Sequence, residues 1–297
     1  MDEADDVCAS CGKSECDDVK LKNCTACYLV KYCGVDCQRE HRKRHKKECK
    51  KRVAELRDEL LFKQPGSTHR GDCPICLLPI PCEKGCTVIY PCCSKFICHG
   101  CDHANTNREA EARLSSSCPF CRTPVPETDA EMILDHKKRA AKNDPNALHH
   151  VGCNYCSEGD YVTAIEYWEK GAQLGDIDSH NKLSIMYNNG HGCEKDVKKF
   201  IYHAEQAAIG GHFMARYNLA EWELMENRNI DRAVKHLTIA ANHGYDPALE
   251  TLKDCLAQGF VSKDDFTAAL RAHKAAVDAT KSPQRDAAKL ERSKWDE

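Results

Sequence analysis

The amino-acid sequence predicts a multidomain fold class: two small α+β fingers stapled by thiolate ligands, followed by an all-α helical-repeat solenoid. Three observations lead to this prediction. Eighteen of the 22 cysteines lie before residue 122. Most of these cysteines, with one histidine, fall into closely spaced pairs of the kind that hold a metal ion. Residues 147–279 instead repeat a helical pattern with a period of 33–36 residues, which is typical of a solenoid.

The cysteine content of the 297-residue chain indicates metal ligands rather than disulfides. The first ten residues, MDEADDVCAS, are acidic and lack the apolar stretch of an export signal. No run of about 18 apolar residues predicts a membrane span. In a reducing compartment thiols are more often ligands than disulfides. We therefore expect a cytoplasmic or nuclear location and no membrane partner.

The first cluster, residues 8–49, contains four ligand pairs. They are Cys8-x2-Cys11, Cys24-x2-Cys27, Cys33-x3-Cys37 and His45-x3-Cys49. Eight ligands satisfy two closed tetrahedral zinc sites. His45 and Cys49 are four residues apart in a stretch without Gly or Pro, so they share one face of a predicted helix. Spacing alone does not decide which pairs share an ion.

The stretch CTACYLVKYCGVDCQREHRKRHKKECK, with the preceding Cys8 and Cys11, resembles a MYND zinc finger. In that family the pairs interleave. The resemblance implies one zinc ion on Cys8, Cys11, Cys33 and Cys37, and a second on Cys24, Cys27, His45 and Cys49. Two residues of this cluster are left over. His41 matches a common family position and is expected outside the ligand shell. Cys16 is expected to be a surface thiol, and its alternative role is to replace Cys11 as a ligand.

The same resemblance implies a small groove that binds peptides, often proline-rich ones. Gln38 is present at the glutamine position that commonly lines this groove. Arg42 stands where the family usually has a tryptophan, so this position lacks the aromatic platform on which proline rings pack. The basic run 38–52 holds nine basic residues against two acids. One interpretation of this run is a solvated helix face next to zinc-bound thiolates. The alternatives are a surface that contacts nucleic acid and a nuclear localisation signal.

The second cluster, residues 73–121, again offers eight thiols, in the order Cys73-x2-Cys76, Cys92-Cys93, Cys98-x2-Cys101 and Cys118-x2-Cys121. The stretch over residues 73–126 resembles the all-cysteine variant of a RING finger. The cross-brace of that family implies one zinc ion on Cys73, Cys76, Cys98 and Cys101. The other would be held by Cys92, Cys93, Cys118 and Cys121.

This cluster departs from the family pattern in its middle pair of cysteines, and the identity of one ligand of the second site stays open. The middle two thiols touch in sequence, whereas the family usually separates them by one residue. Cys82 and Cys86 are spare thiols, either of which could complete the second site in place of Cys92. His99 is expected to be an exposed bystander. We expect four zinc ions per chain from the two clusters together.

RING fingers hold a ubiquitin-conjugating enzyme, charged with ubiquitin, in a reactive geometry and supply no catalytic residue of their own. The resemblance implies docking through Ile75, which lies between Cys73 and Cys76, and through Pro119, which lies between Cys118 and Cys121. Arg122, directly after the last cysteine, would clamp ubiquitin against the conjugating enzyme. Ala104 lies on the middle helix where a large apolar residue is expected, and this weakens the docking surface by about 1–3 kcal/mol.

The back half of the chain repeats one two-helix pattern. Asx residues predict helix N-caps at Asp160, Asp196, Asn229 and Asp264. Fifteen residues later come Gly175, Gly211, Gly244 and Ala279, and the glycines predict helix ends. Matching apolar positions follow at Leu183, Leu219 and Leu252, with Val151 in the first copy. Four stacked helix pairs are expected. The pattern resembles Sel-one-like repeats, relatives of the tetratricopeptide class, and a concave face that binds a protein or peptide is expected.

Several residues of the repeats invite a ligand-binding interpretation. Cys153, Cys156 and the pair His149-His150 could form a third zinc site, but both cysteines lie on a predicted repeat helix, where cysteine packs as a small apolar residue. Tyr167, Trp168 and Trp222 are expected to be helix-packing residues rather than a ligand cage.

The sequence predicts six segments along the chain. They are a first finger at 1–52, a helical linker at 53–70, a second finger at 71–126, a linker helix at 127–146, repeats at 147–280 and a flexible tail at 281–297. Neither finger is large enough to fold on an apolar core. We expect chelation to unfold residues 1–126 and to leave the repeats largely intact.

Three functional interpretations remain at this point. The first is a RING-type ubiquitin ligase that selects substrates through the repeats and the first finger. The second is a non-enzymatic adaptor that uses all modules for protein contacts. The third, ranked last, is a nucleic-acid-associated regulator that acts through the basic run.

Overall fold

The computed structural model describes residues 7–16, 18–83 and 85–293. The chain divides into two compact units, Met1–Lys63 and Gln64–Glu297. In the described part of the chain, none of the helices combines the length and apolar character that a membrane crossing requires.

The first unit is built on a short hairpin and one long helix. Strands β1 (Lys22–Asn23) and β2 (Lys31–Tyr32) pair antiparallel. Helix α1 then runs without a break from Val35 to Leu61. The predicted boundary at residue 52 between finger and linker therefore falls inside one helix. No Gly or Pro interrupts residues 35–61, so nothing in the sequence ends the helix earlier.

The second unit begins with a β-hairpin and continues with helices. Strands β3 (Thr87–Tyr90) and β4 (Lys95–Cys98) pair antiparallel, with Thr87 opposite Cys98 and Tyr90 opposite Lys95. The helices are α2 (His99–Glu111), α3 (Asp129–Ala140), α4 (Pro145–Ser157), α5 (Tyr161–Gln173), α6 (Ile177–Asn189), α7 (Val197–Ile209), α8 (Phe213–Met225), α9 (Ile230–Asn242), α10 (Asp246–Ala257), α11 (Lys263–Ala279) and α12 (Pro283–Ser293).

Helices α4 to α11 form four stacked pairs, and each helix packs on the next one along the chain. Their starts follow from side-chain caps. Asp160 accepts a hydrogen bond from the backbone N–H of Thr163, Asp196 from that of Lys199, and Asn229 from that of Arg232. For α11 the predicted cap Asp264 is wrong. Ser262 accepts from the backbone N–H of Asp265 instead, and Asp264 lies in the first turn.

The helix ends and the core of the repeats also agree with the sequence pattern. Gly175, Gly211 and Gly244 have φ values of +87°, +88° and +84° and lie just past the ends of α5, α7 and α9. Glycine adopts this left-handed conformation without steric cost. The matched apolar residues Val151, Leu183, Leu219 and Leu252 are all buried, so each copy of the repeat contributes this position to the interior.

The C-terminal segment, predicted to be a flexible tail, forms helix α12 over Pro283–Ser293. It packs on α2 of the second finger, and Ala288 is 1% exposed. The polar composition of residues 281–297 predicted a flexible segment without regular structure. The helix is instead held by contacts of its arginines with distant backbone carbonyl groups, which no local sequence pattern reveals.

Candidate metal centres and interaction surfaces

Four of the C-x2-C turns share one backbone conformation, the zinc knuckle. In each, the residue after the second cysteine donates its backbone N–H to the carbonyl of the first cysteine, over 2.8–3.0 Å. That residue has a left-handed φ, at Gly12 (+73°), Tyr28 (+58°), Leu77 (+58°) and Arg122 (+61°). A side chain in this conformation costs about 1 kcal/mol or more. A metal ion bound by both cysteines of a knuckle would offset this cost at Tyr28, Leu77 and Arg122, whereas Gly12 adopts the conformation freely.

The first unit gathers the eight side chains of the first cluster into two groups. Cys8, Cys11, Cys33 and Cys37 form one group, and Cys24, Cys27, His45 and Cys49 form the other. Within each group all ligand atoms lie within 4.8 Å of one another. Helix α1 contributes Cys37 to one group and both His45 and Cys49 to the other, so a single helix ties the two sites together.

The second unit gathers eight thiols in the same way. Cys73, Cys76, Cys98 and Cys101 form one group, and Cys92, Cys93, Cys118 and Cys121 form the other. The adjacent thiols Cys92 and Cys93 both reach the second group, with sulfur distances of 3.3 Å from Cys92 to Cys121 and 3.6 Å from Cys93 to Cys118. The interleaving of the pairs is the one that the family resemblances imply.

The donor sets and their spacing fit zinc. Close Sγ–Sγ distances within the groups run from 3.3 Å to 3.9 Å, whereas a disulfide has an S–S distance of about 2.05 Å. A tetrahedral zinc ion with Zn–S distances of about 2.3 Å spaces its sulfur ligands by about 3.8 Å. All 22 thiols are free. The four groups therefore fit four closed structural zinc sites, which would fix the knuckles in place.

The electrostatics of the thiols suit a cation. Burial raises the pKa of Cys8, but hydrogen bonds from the backbone of Cys11 and Cys33 outweigh it and lower the pKa to about 6. Its neighbour Cys37 has a pKa raised to about 12, chiefly by its hydrogen bond with Cys33. One thiolate thus forms readily in this group and suppresses ionisation of the others. A divalent cation removes that mutual repulsion, because it favours every thiolate at once.

The spare ligands predicted from the sequence are used elsewhere. Cys82 donates to the carbonyl of His243 over 3.2 Å, and Cys86 donates to the carbonyls of Pro81 and Glu83. His41 Nδ1 lies 3.1 Å from the Tyr32 hydroxyl. Cys16 is exposed. Within the described residues none of these side chains joins a group of metal ligands.

The third zinc site considered at residues 149–156 does not form in the described structure. Cys153 Sγ lies 3.4 Å from His149 Nε2, but Cys156 and His150 do not complete a ligand set around them. Burial raises the pKa of Cys153 to about 11, so this thiol is protonated at neutral pH. It packs as a small apolar residue, in line with its place on α4.

A fifth group of ligand-type side chains, His69, Asp178 and His212, has a different chemistry. Both histidine Nε2 atoms lie 3.3–3.4 Å from Asp178 Oδ1, and the two imidazole rings stack at 4.1 Å with an interplanar angle of 16°. His212 Nδ1 accepts the backbone N–H of Ala215, so its Nε2 carries the proton and has no lone pair for a metal. The group is a carboxylate between two imidazoles, and it joins residue 69 to the repeats.

The residues predicted to dock a conjugating enzyme lie at the surface of the second finger. Ile75 is 45% exposed in the first knuckle, and the neighbouring Leu77 is 74% exposed. Pro119 is half-buried and Arg122 is exposed at the last knuckle, while Ala104 is half-buried on α2. His99 is the first residue of α2 and is half-buried rather than fully exposed. Leu77 was missed from the sequence, although its position after the knuckle could have indicated it.

The surface residues predicted for the first finger lie on α1. Gln38 is half-buried and Arg42 is exposed. The basic side chains Lys43, Lys46 and Lys47 are exposed as well, on turns of α1 where His45 faces the interior. The basic run therefore forms a solvent-facing stripe next to the zinc ligands.

A metal count tests the four sites directly. We expect native mass spectrometry of the purified chain to show four zinc ions, because each group offers a complete tetrahedral donor set. Cys118→Ser should lower the count to three after dialysis against a weak chelator. Cys16→Ser, which changes an exposed thiol outside the groups, should keep all four. A metal-free chain with its sulfurs oxidised to one another would contradict the four-site structure.

Comparison with known proteins agrees with two of the three modules. A family model of the MYND finger matches residues 8–49, and a model of the Sel1 repeat matches residues 145–176, 177–212 and 214–245. The matched models name these two modules. The second finger rests on the cysteine groups and knuckles described above.

The similar proteins cover parts of the chain. An uncharacterized protein of Neisseria meningitidis serogroup B is 30% identical over 132 residues, 43% of this chain and 28% of that protein. The putative beta-lactamase HcpC of Helicobacter pylori is 36% identical over 59 residues, 20% of each chain. The chain thus spans less than a third of the length of these curated relatives.

Solved structures with similar folds are repeat proteins. A Sel1 repeat protein from Oxalobacter formigenes shares 17% identity, with a TM-score of 0.46 over 61% of this chain and 73% of that one. A protective antigen of uropathogenic Escherichia coli strains displaying an SLR fold shares 18% identity, with a TM-score of 0.43 over 54% and 35%. The two family models thus identify a MYND finger over residues 8–49 and Sel1 repeats over residues 145–245 of this chain.

Proposed function

We propose that the chain is a RING-type ubiquitin ligase whose second finger recruits a ubiquitin-conjugating enzyme. The repeats and the MYND finger would select the substrate. The observation that carries the proposal is the exposure of large apolar side chains at the first knuckle, where Ile75 is 45% and Leu77 is 74% exposed. Large exposed apolar side chains on one small turn favour a protein contact.

The last knuckle supports the same interpretation. Arg122 follows Cys121 in a left-handed conformation, with a φ of +61°, and its side chain is exposed. Its backbone N–H is bound to the carbonyl of Cys118, so the position of its Cα is fixed by the knuckle. A guanidinium anchored in this way can bridge two partners through its five donors. This is the role that the resemblance assigns to it.

The repeats offer a place for a substrate. A groove of about 520 Å³ between α6 and α8 is lined by Ile185, Asn188, Asn218, Trp222 and Met225, among others. Met225 is highly exposed, while Trp222 is half-buried and packs edge-on against Phe200. Amide side chains can bind a peptide backbone, and Met and Trp offer apolar contact. The aromatic ring thus contributes both to helix packing and to the groove wall.

Autoubiquitination with a panel of conjugating enzymes tests the proposal. We expect Ile75→Ala to weaken binding of the conjugating enzyme and to lower the transfer rate by about tenfold, the effect of losing a docking anchor. Arg122→Ala should lower the rate while binding is retained, since this side chain acts on the ubiquitin. Leu134→Ala, an exposed position on α3 outside the finger, is the matched control and should transfer at the wild-type rate.

The outcomes separate the ligase from the adaptor. A wild-type chain that is silent with every conjugating enzyme, yet still holds its zinc, would remove the ligase function. The small side chain of Ala104 is expected to weaken binding of the conjugating enzyme. The assay should therefore extend to high concentrations of that enzyme. A silent chain that still captures peptides through the α6–α8 groove would support the non-enzymatic adaptor.

A further inference from the structure

The second finger contacts the start of the repeat array through Arg139. This residue lies in the last turn of α3, and its guanidinium donates to the Ser94 hydroxyl over 2.9 Å and to the Cys92 carbonyl over 3.3 Å. The same guanidinium binds the carboxylate of Asp144, which caps the first repeat helix α4. One side chain therefore links the turn after β3 to the beginning of the solenoid.

The finger and the segment before it also lie along one edge of the repeats, where successive helix pairs are joined. The backbone N–H of His69 donates to the Gly211 carbonyl over 3.2 Å. Cys82 donates to the His243 carbonyl, and the Gln64 side chain contacts Asn242 and His243. A Cβ atom at Gly211 would fall 2.9 Å from the Ser67 carbonyl oxygen, so the backbones approach closely at this turn.

The far end of the array returns to the same finger through α12, which directly follows the last repeat helix α11. Arg285 donates to the carbonyls of Pro79 (2.7 Å) and Leu78 (3.1 Å) and lies 3.4 Å from Cys76 Sγ. Arg292 donates to the Gly85 carbonyl over 2.7 Å. A Cβ atom at Gly100 would fall 2.8 Å from the Arg285 backbone nitrogen, so α2 and α12 meet at a glycine.

Both end contacts fall on the cysteine groups. Arg139 binds the carbonyl of Cys92, a member of one group, and Arg285 contacts the sulfur of Cys76, a member of the other. The finger has too small an apolar core to hold these turns by itself. The positions of both anchor points therefore depend on the metal that the groups would hold.

We propose that the second finger is a metal-dependent brace that joins the two ends of the repeat array, with Arg139 and Arg285 as its anchors. Loss of zinc from this finger then loosens the first and last repeats rather than leaving them intact. The coupling is reciprocal: a ligand that stabilises the array strengthens zinc retention in the finger. The inference is independent of ubiquitin transfer.

Hydrogen exchange of the full-length chain, read peptide by peptide, tests the brace. We expect Cys76→Ser to speed exchange in α4 and in α10–α11 by about tenfold or more, because local opening becomes easier. Cys24→Ser is the matched control, since it removes a ligand from the MYND finger in the other compact unit. It should leave exchange in the repeats at the wild-type rate.

A second variant keeps the test valid if Cys76→Ser fails to fold. Arg285→Gln leaves every zinc ligand in place and removes the anchor at the far end. It should retain four zinc ions and speed exchange in α10–α12 more than in α4, while Arg285→Lys restores part of the protection. Unchanged exchange in the repeats of Arg285→Gln, or of a folded Cys76→Ser that has lost one ion, would overturn the brace. Activity assays do not enter this test.

Discussion

Replacing Trp168 with alanine is expected to lower the free energy of unfolding of the repeat array by about 3–5 kcal/mol. Trp168 is 0% exposed on α5, and its indole N–H donates to the His149 carbonyl over 3.1 Å. The ring lies against Gly152 of α4, where a Cβ atom would fall 2.6 Å from the indole nitrogen. Truncation therefore leaves a cavity between the two helices and removes the hydrogen bond from the indole to α4.

Two further variants divide this effect into its parts. Trp168→Phe keeps most of the apolar contact and loses the hydrogen bond, so it should cost less than the alanine variant. Tyr202→Ala, at an exposed position on α7, should change stability little. The measurement is urea unfolding followed by far-UV circular dichroism. A loss below about 1 kcal/mol for Trp168→Ala would contradict the tight α4–α5 contact.

The repeat array is expected to lose stability as the pH falls from about 6.5 to about 4. The cause is burial, which lowers the pKa of several repeat histidines. The affected residues, with their pKa values, are His149 (about 4), His150 (about 3), His203 (about 4), His212 (about 4) and His236 (about 3).

The direction of this pH effect on stability follows from the pH range in which the unfolded and folded states each take up protons. In the unfolded chain these imidazoles take up protons below about pH 6.5, whereas in the folded chain they stay neutral to about pH 4. Each such histidine contributes a slope of up to about 1.4 kcal/mol per pH unit in this window. Asp176 opposes the trend, because burial raises its pKa to about 6 and the folded state gains that proton first.

Thermal unfolding at a series of pH values, with zinc retention measured at each, checks this prediction. His150 is a suitable probe, because its ring stacks on His136 at 4.8 Å and its Nε2 has no hydrogen-bond partner among the described residues. His150→Phe should keep the stacking and reduce the pH slope by about one proton. A stability that is flat between pH 6.5 and 4.5 while zinc stays bound would show that these histidines are solvated.

The elements set by local sequence were largely predictable. The four knuckles all lie at C-x2-C pairs, although Cys98-x2-Cys101 and Cys153-x2-Cys156 have the same spacing and lie at the start of α2 and within α4. The interleaving of the pairs came with the family resemblances. Three of the four Asx caps begin helices where predicted, since a cap needs only its neighbours in sequence. The fourth failed because Ser262 lies two residues ahead of Asp264 and reaches the backbone N–H of Asp265 first.

The elements set by distant contacts were not predictable. Helix α12 is polar and has a single buried residue, Ala288. Its anchors Arg285 and Arg292 bind carbonyls about 206–207 residues earlier in the chain. The role of Cys82 was open for the same reason, because its partner is the carbonyl of His243, 161 residues later. The partners of Cys86 are close in sequence, but they are backbone oxygens that any residue could supply. His69 and Asp178 carried no sequence signal at all.

The return of α12 to the finger has a consequence for how this chain can evolve. Open arrays tolerate gain or loss of a unit, because each unit touches only its neighbours. Here one additional helix pair would carry the last helix away by at least the spacing of packed helices, about 10 Å. Arg285 would then no longer reach Cys76 Sγ, which it now approaches to 3.4 Å. A change in the number of helix pairs would therefore break this contact, so α12 couples the length of the array to the position of the finger.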